Sequence, residues 1–133
     1  MGLDNGLILH TKEPVDFPKE LNINDWWQSN GEYHYGICYW RKCWNIRREV
    51  AYIIEAPLDY VAKYSLDISE VKNIWRAINE LNSKRAWESG ESIWSYDEIK
   101  DHLDRDLLTL EWLIHFMRTH KEEDYAVEFY DSY

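Results

Sequence analysis

The residues Tyr39-Trp40-Arg41-Lys42 join two aromatic rings to two cations in one short run. Arg and Trp side chains together suit stacking on a nucleobase and pairing with a phosphate. Apolar spacing predicts that this run opens a helix, whose free backbone N–H groups would add an anion site. With Asp4 from a central first strand, the run could form a pocket for a nucleotide or a cyclic dinucleotide. The sequence favours the simpler interpretation, in which Trp40 is core and Arg41 pairs with a carboxylate.

Carboxylates of the last predicted helix form a second candidate site. They recur at steps of four, three and seven residues, at Asp97, Asp101, Asp104 and Glu111. This spacing places them on one stripe, with neighbouring Cβ atoms about 5–6 Å apart. A row of carboxylates on a rigid helix can imitate a phosphate backbone and occupy the cationic groove of a nucleic-acid enzyme. The alternative, a solvated face that keeps the protein soluble, is favoured by the spacing alone.

Aromatic side chains in residues 11–35 form a third candidate site. No apolar period holds through this stretch, so we predict a long loop. Its rings and one imidazole are Trp26, Trp27, Tyr33, His34 and Tyr35. Trp and Tyr dominate binding hot spots, and rings of this size can also pin a loop to the core. A protein-contact surface and a lid packed on the body are equally favoured.

Metal and nucleophile chemistry find little support in the residue spacing. Cys38 and Cys43 lie five apart, so on a helix they point to different sides. The five histidines show no pair at the i, i+3 or i, i+4 spacing of metal ligands. No P-loop, Gly-rich dinucleotide turn or G-x-S-x-G elbow occurs. A carboxylate pair assembled in space stays open, but with 25 acids any one pairing carries little weight. We therefore expect no catalytic residue, metal or cofactor.

The elements that would position these residues follow from apolar periodicity and capping signals. Strands are predicted at 3–11, 59–66 and 125–133, and helices at 37–54, 67–81 and from the Ser95 cap to Met117. Asp67 with Glu70, and Ser95 with Glu98, match the capping-box pattern. Residues 84–94 are predicted to form the connection between the second and third helices. The chain is thus expected to be one α+β domain over residues 1–133, with a three-stranded sheet packed by about three helices.

Length and charge restrict the class of partner. The chain has 133 residues, a formal net charge of −10 and 16% aromatic residues. Its acidity disfavours direct binding to nucleic acid or to an anionic membrane. The apolar runs are too short to span a bilayer, and no secretory signal is visible. Two cysteines make no disulfide framework, so we expect a cytoplasmic protein.

Three segments resemble a family of small bacteriophage and prophage proteins. These segments are Gly-Leu-Asp at 2–4, Tyr-Trp-Arg-Lys at 39–42 and Glu-Phe-Tyr at 128–130. The family has a Tyr-rich strand before a helix and an acidic start to its last helix, which 60–70 and 95–100 match. The chain departs at Asn5-Gly6, where the family has a Met-Tyr-like pair, and in its longer loop 11–35. The resemblance implies a phage origin and an accessory role, and nothing about a reaction.

Three functional hypotheses follow. The first is a non-enzymatic protein that binds and inhibits a host protein in the infected bacterium, such as a CRISPR effector, through the acidic stripe with Trp26 and Trp27. The second is a sponge that sequesters a nucleotide-derived defence signal near Arg41. The third, an enzyme of unknown class, comes last because no chemical motif supports it. Exposed rings also make a homodimer plausible.

Overall fold

A five-stranded antiparallel sheet and four helices make up the described part of the chain. The computed structural model describes residues 4–55 and 61–132. The strands are β1 (Asp4–Thr11), β2 (Ile23–Ser29), β3 (Glu32–Arg41), β4 (Val61–Ser65) and β5 (Tyr125–Ser132), in the order β2-β3-β1-β5-β4. The helices are α1 (Trp44–Ile54), α2 (Ile68–Leu81), α3 (Lys84–Glu88) and α4 (Tyr96–Thr119), and a 3₁₀ turn spans Glu122–Asp124. The α+β class is confirmed, whereas the count of three strands is wrong.

Some predicted positions lie outside the described residues. They are positions 2, 3, 59, 60 and 133, which the resemblance or the predicted strands include.

The two missed strands form a hairpin inside the predicted long loop. Residues 11–35 were expected to be irregular, but β2 and the first part of β3 lie within them. Asn30 and Gly31 connect the two strands with φ values of 52° and 76°. Positive φ at both central residues of a two-residue connection is typical of a type I′ hairpin turn, for which Asn-Gly is the preferred pair. The local Asn-Gly signal therefore outweighs the lack of apolar periodicity.

The predicted helix at 37–54 is divided between a strand and a helix. Residues up to Arg41 belong to β3, and α1 begins only at Trp44. Ile37 and Trp40 pair with Leu7 and Asn5 of β1, and the register shifts between those two partners. Because a bulge inserts a residue, two core-facing positions of a strand become three apart. That spacing imitates a helical period, which explains the wrong prediction.

The helices cover one face of the sheet and form the core with it. The fully buried strand residues include Leu7, Leu9 and Phe129. Helix α4 buries Leu103, Leu110 and Leu113 against them, and α2 buries Val71, Ile74 and Ile78. Both predicted capping boxes are confirmed, at Asp67 with Glu70 and at Ser95 with Glu98. The predicted connection 84–94 contains the short helix α3 and its buried Trp87.

The opposite face of the sheet carries a groove lined by strand residues. Side chains of Ile8, Trp27, Lys63 and Tyr130 contribute to it, and its volume is about 320 Å³. Ile8 is buried here although it lies outside the main hydrophobic cluster. Of the helices in residues 4–55 and 61–132, none combines the length and apolar composition that crossing a membrane requires.

Candidate functional site

The predicted ligand segment 39–42 lies at the end of a strand and not at a helix N-terminus. Tyr39 and Arg41 belong to β3, and Lys42 adopts a left-handed backbone with φ of 54°. Helix α1 starts after Cys43, which makes no side-chain capping hydrogen bond. The expected anion site on free helical N–H groups at this segment is therefore wrong.

Asp4 lies beside this segment through the pairing of β1 with β3. Asp4 and Arg41 are Cα partners across the two strands. The Tyr39 hydroxyl donates a hydrogen bond to Asp4 Oδ1 at 2.6 Å. Burial, together with this hydrogen bond to a carboxylate, raises the pKa of Tyr39. The Asp4 carboxylate thus already accepts a hydrogen bond from Tyr39, whose hydroxyl stays protonated at neutral pH.

Trp40 is a core residue and is not available for stacking on a ligand. Only 1% of it is exposed, and its indole Nε1 donates to Asp106 Oδ2 at 2.8 Å. The nearby cavity, with Tyr39, Arg41, Trp94 and His102 in its walls, has a volume of about 220 Å³. Small-molecule sites usually enclose about 300–1,000 Å³. This cavity is therefore small for a cyclic dinucleotide, although Tyr39 and Arg41 of the predicted ligand segment line it.

Asp106 is the centre of a buried polar cluster that the sequence analysis missed. Its carboxylate is fully buried and accepts hydrogen bonds from Trp40 Nε1 at 2.8 Å, Asn22 Nδ2 at 2.8 Å and His102 Nδ1 at 2.9 Å. A signal was present, because Asp106 lies three residues after Leu103 and four before Leu110, on the apolar face of α4. A carboxylate at a core position needs such partners, since burying an unpaired charge is costly.

The pKa of His102 reflects this cluster. Burial disfavours its charged form, but the hydrogen bond to Asp106, the charge of that carboxylate and a hydrogen bond to the Tyr39 backbone together outweigh the burial and raise the pKa. Arg105 opposes the rise through charge repulsion. The partly exposed His102 therefore holds a proton more readily than an isolated imidazole.

Both cysteines are buried free thiols. Burial, with the charge of Asp106 as a second cause, raises the pKa of Cys38 well above its usual range and that of Cys43 to about 12. A thiol in this state is a poor nucleophile and metal ligand because both roles need the thiolate. Within residues 4–55 and 61–132, no group of three His, Cys, Asp or Glu side chains is arranged to hold a metal ion.

The acidic stripe of α4 is exposed in its N-terminal half. Asp97, Asp101 and Asp104 all face solvent, and Asp104 Oδ1 accepts a hydrogen bond from Asn82 Nδ2 at 2.7 Å. Leu108, one turn further along the same stripe, is 49% exposed. The stripe therefore combines carboxylates with an apolar side chain that solvent reaches.

Glu111, the fourth carboxylate of the stripe, lies in a different environment. It lines a groove between α2 and α4 together with Lys72, Arg76 and Arg118. With three cations and one carboxylate, the charged residues that line this groove are net positive. The negative field of α4 is therefore concentrated at Asp97, Asp101 and Asp104.

Trp26 and Trp27 lie on β2, the edge strand of the sheet. They are 60% and 39% exposed. Trp26 is opposite Tyr35, and Trp27 is opposite His34, whose ring it stacks on with centroids 5.2 Å apart. Asn22, just before β2, donates its backbone N–H to Thr109 Oγ1 of α4 at 2.7 Å. The ring-bearing strand and the acidic helix are thus tied to each other.

Two histidines that the sequence placed far apart meet on the open face of the sheet. His10 of β1 and His34 of β3 are cross-strand partners, and their Nδ1 atoms lie 2.6 Å apart. His34 Nε2 contacts Ser29 Oγ at 2.7 Å, and His10 Nε2 contacts Glu128 Oε1 at 2.5 Å. We call Ser29, His34, His10 and Glu128 the relay. It crosses four strands, so spacing along the chain could not reveal it.

Comparison with known proteins adds no relative: no protein-family model, curated protein or solved structure matches the chain.

Proposed function

We propose that this chain is a binding protein of phage origin that inhibits a nucleic-acid-binding host protein, such as a CRISPR effector, by covering its cationic surface. The observation that carries the proposal is the exposure of Asp97, Asp101 and Asp104 on one stripe of α4, while Asp106 of the same helix faces the core. Three carboxylates on a rigid helix present charge at fixed intervals, as a phosphate backbone does. The resemblance of segments 2–4, 39–42 and 128–130 to phage proteins supports the origin.

The distribution of charge favours a basic partner. Residues 53–133 contain 9 cations and 18 acids, a net charge of −9 out of −10 for the whole chain. A field of one sign accelerates encounter with a surface of the opposite sign and suppresses other partners. The negative helix therefore suits the cationic groove in which a nuclease holds nucleic acid.

Leu108 supplies the apolar contact that charge alone lacks. It lies four residues after Asp104 and three before Glu111, and about half of it is exposed. Interfaces usually combine a desolvated apolar anchor with a polar rim. Trp26, four residues after the Asn22 that bonds to Thr109 of α4, gives a second exposed anchor. A partner that contacts α4 can thus bury apolar area as well as pair charges.

The test measures DNA binding by purified CRISPR effectors in the presence of this chain. We expect the wild type to displace DNA from at least one effector, with an inhibition constant that rises with salt concentration. The variant Asp97→Lys/Asp101→Lys/Asp104→Lys should bind at least about tenfold more weakly, or ~1.4 kcal/mol, and lose most of the salt dependence. Leu108→Ala should weaken binding without changing the salt dependence.

The matched control reverses three exposed acids elsewhere on the chain, as Glu13→Lys/Asp16→Lys/Glu20→Lys. This control changes the net charge by the same amount but leaves α4 intact, so it should inhibit almost as well as the wild type. Equal loss of inhibition in both triple variants would show that only net charge matters and would contradict a specific α4 surface. Inhibition that survives the α4 reversal at low salt would contradict it as well.

A further inference from the structure

The relay contains a continuous set of hydrogen bonds whose direction can be worked out. An ionised carboxylate only accepts hydrogen bonds, so Glu128 requires a proton on His10 Nε2. A neutral imidazole carries one proton, which leaves His10 Nδ1 as the acceptor for the Nδ1–H of His34. His34 Nε2 is then unprotonated and accepts the hydroxyl proton of Ser29. All three hydrogen bonds are satisfied with both imidazoles neutral.

This direction gives Ser29 the partner that a nucleophilic hydroxyl needs. A serine becomes reactive when a base in hydrogen-bond contact accepts its proton and a further group fixes the tautomer of that base. Here His34 is the base, and His10 and Glu128 fix its tautomer. The Ser29–His34 and His34–His10 distances of 2.7 and 2.6 Å lie within the range of about 2.6–3.2 Å for such contacts, and the His10–Glu128 contact is shorter, at 2.5 Å.

The surroundings hold the base in place while leaving the hydroxyl accessible. His34 is only 7% exposed, stacks on Trp27 with an interplanar angle of 22°, and meets the His10 ring edge-on at 80°. Ser29 is exposed at the end of β2, where the Asn-Gly turn begins. A buried base beside an exposed hydroxyl lets a substrate reach the oxygen without displacing the imidazole.

A groove on the same face of the sheet borders the relay at Trp27. Trp27, two residues before Ser29 on β2, both stacks on His34 and lines the groove of about 320 Å³. Ile8, two residues before His10 on β1, and Tyr130 are further lining residues. This volume lies within the usual range for small-molecule sites. None of the four relay residues lines this groove, and Trp27 is the residue that connects it to the relay.

We propose that Ser29 is a nucleophile for acyl transfer from small carboxylic esters, with His34 as its base and with His10 and Glu128 as positioning residues. Ser29 Oγ bonds to the acyl carbon while its proton passes to His34 Nε2. The tetrahedral intermediate then collapses, the bond to the leaving alkoxide breaks, and His34 returns the proton to it as an alcohol. Water then bonds to the acyl carbon while His34 takes its proton, the bond from that carbon to Ser29 Oγ breaks, and His34 returns the proton to Oγ as the carboxylic acid leaves.

The test uses a fluorophosphonate probe with an alkyl chain on the intact protein at neutral pH, followed by mass measurement and peptide mapping. Ser29 Oγ bonds to phosphorus, the P–F bond breaks, fluoride leaves, and the proton goes to His34. We expect one label per chain at Ser29 and none in Ser29→Ala. His34→Gln should slow labelling about 100-fold or more, because general-base help contributes about 10²–10⁴. Hydrolysis of p-nitrophenyl acetate should fall in parallel.

Two controls separate the relay from general reactivity and from α4. Ser65→Ala removes an exposed hydroxyl on β4, opposite Glu128 in the sheet, and should be labelled at the wild-type rate. The Asp97→Lys/Asp101→Lys/Asp104→Lys variant should also be labelled at that rate, so failure of one proposal is distinguishable from failure of the other. Melting temperatures of Ser29→Ala and His34→Gln close to that of the wild type confirm that both variants fold.

The role of Glu128 needs a readout that packing alone would not change. The ¹⁵N shifts of His34 report its tautomer, which should carry the proton on Nδ1 in the wild type. Glu128→Leu should mix the two tautomers and slow labelling, whereas Glu128→Gln can still accept from His10 and should keep the tautomer. An unlabelled wild type, labelling that persists in Ser29→Ala, labelling at an unchanged rate in His34→Gln, or a proton on His34 Nε2 would each overturn the proposal.

Discussion

The buried carboxylate of Asp106 requires hydrogen-bond donors among the residues packed around it. Taking a carboxylate out of water is costly, and only a full set of donors offsets that cost. The indole of Trp40, the amide of Asn22 and the imidazole of His102 supply these donors from a strand, a loop and the same helix. This explains why Trp40, a residue that could have bound a ligand, is instead committed to the core.

At the residue scale we predict that Asp106→Asn lowers the pKa of His102. The raised pKa of His102 depends on the charge and the hydrogen bond of Asp106, which outweigh burial. His102 therefore contributes stability that is fully present below its unfolded pKa of about 6.5 and is lost as the pH rises through the folded pKa. NMR titration of the imidazole measures the pKa directly, and Asp101→Asn, at an exposed site, should leave it unchanged. A His102 pKa at or below 6.5 in the wild type would contradict this account.

Helix α4 is the element on which the acidic stripe and the Asp106 cluster both depend. Its start is fixed by a reciprocal pair of hydrogen bonds: Ser95 Oγ accepts from the Glu98 N–H at 3.2 Å, and Ser95 N–H donates to Glu98 Oε1 at 2.9 Å. The hydrogen bond from the Ser95 backbone N–H, with the Ser95 side chain as a second cause, lowers the pKa of the Glu98 carboxyl. The cap determines where α4 begins and therefore which carboxylates lie in its first turns.

At the element scale we predict that Ser95→Ala destabilises the protein by about 1 kcal/mol, the usual effect of losing an N-cap. The loss arises because the Glu98 N–H at the helix start then has no side-chain acceptor. Ser95→Asp supplies an equivalent acceptor and should remain close to the wild type. Urea denaturation measures both differences. Equal stability of the Ala and Asp variants would mean that the cap adds nothing to the free energy of unfolding.

The two proposed functional surfaces, the acidic stripe and the relay, lie on different sides of the molecule. The acidic stripe lies on the helical layer, and the relay lies on the opposite face of the sheet. A buried ion pair connects the layers: Arg47 of α1 donates through Nε and Nη2 to both oxygens of Asp131 on β5, at 2.9 and 2.8 Å. Asn5 of β1 also donates to Asp131 Oδ1 at 2.7 Å. Asp131 thus joins a helix and two strands at one point.

At the scale of the whole molecule we predict that Asp131→Ala costs about 3–5 kcal/mol, because it removes a buried carboxylate that accepts hydrogen bonds from both Arg47 and Asn5. That is a large share of the about 5–15 kcal/mol by which a domain is stable. Denaturation monitored by circular dichroism gives the free energy of unfolding. Asp101→Ala, at an exposed site, should change it by less than about 0.5 kcal/mol. A comparably small loss in Asp131→Ala would show that Arg47 is well solvated without its partner.

Local signals in the sequence determined the α+β class, both capping boxes, the course of α2 and α4, and the exposure of Asp97, Asp101 and Asp104. These features depend on residues within a few positions of each other, so spacing reveals them. The same reasoning from spacing wrongly predicted a helix from residue 37, because the bulge between Ile37 and Trp40 gives a strand a helical period. Spacing alone places Asp106 on the apolar face of α4, but only the tertiary structure decided that Trp40 and Asn22 donate to it and that Ser29, His34, His10 and Glu128 meet. Those contacts join residues up to 118 positions apart, and strand order and register fix them.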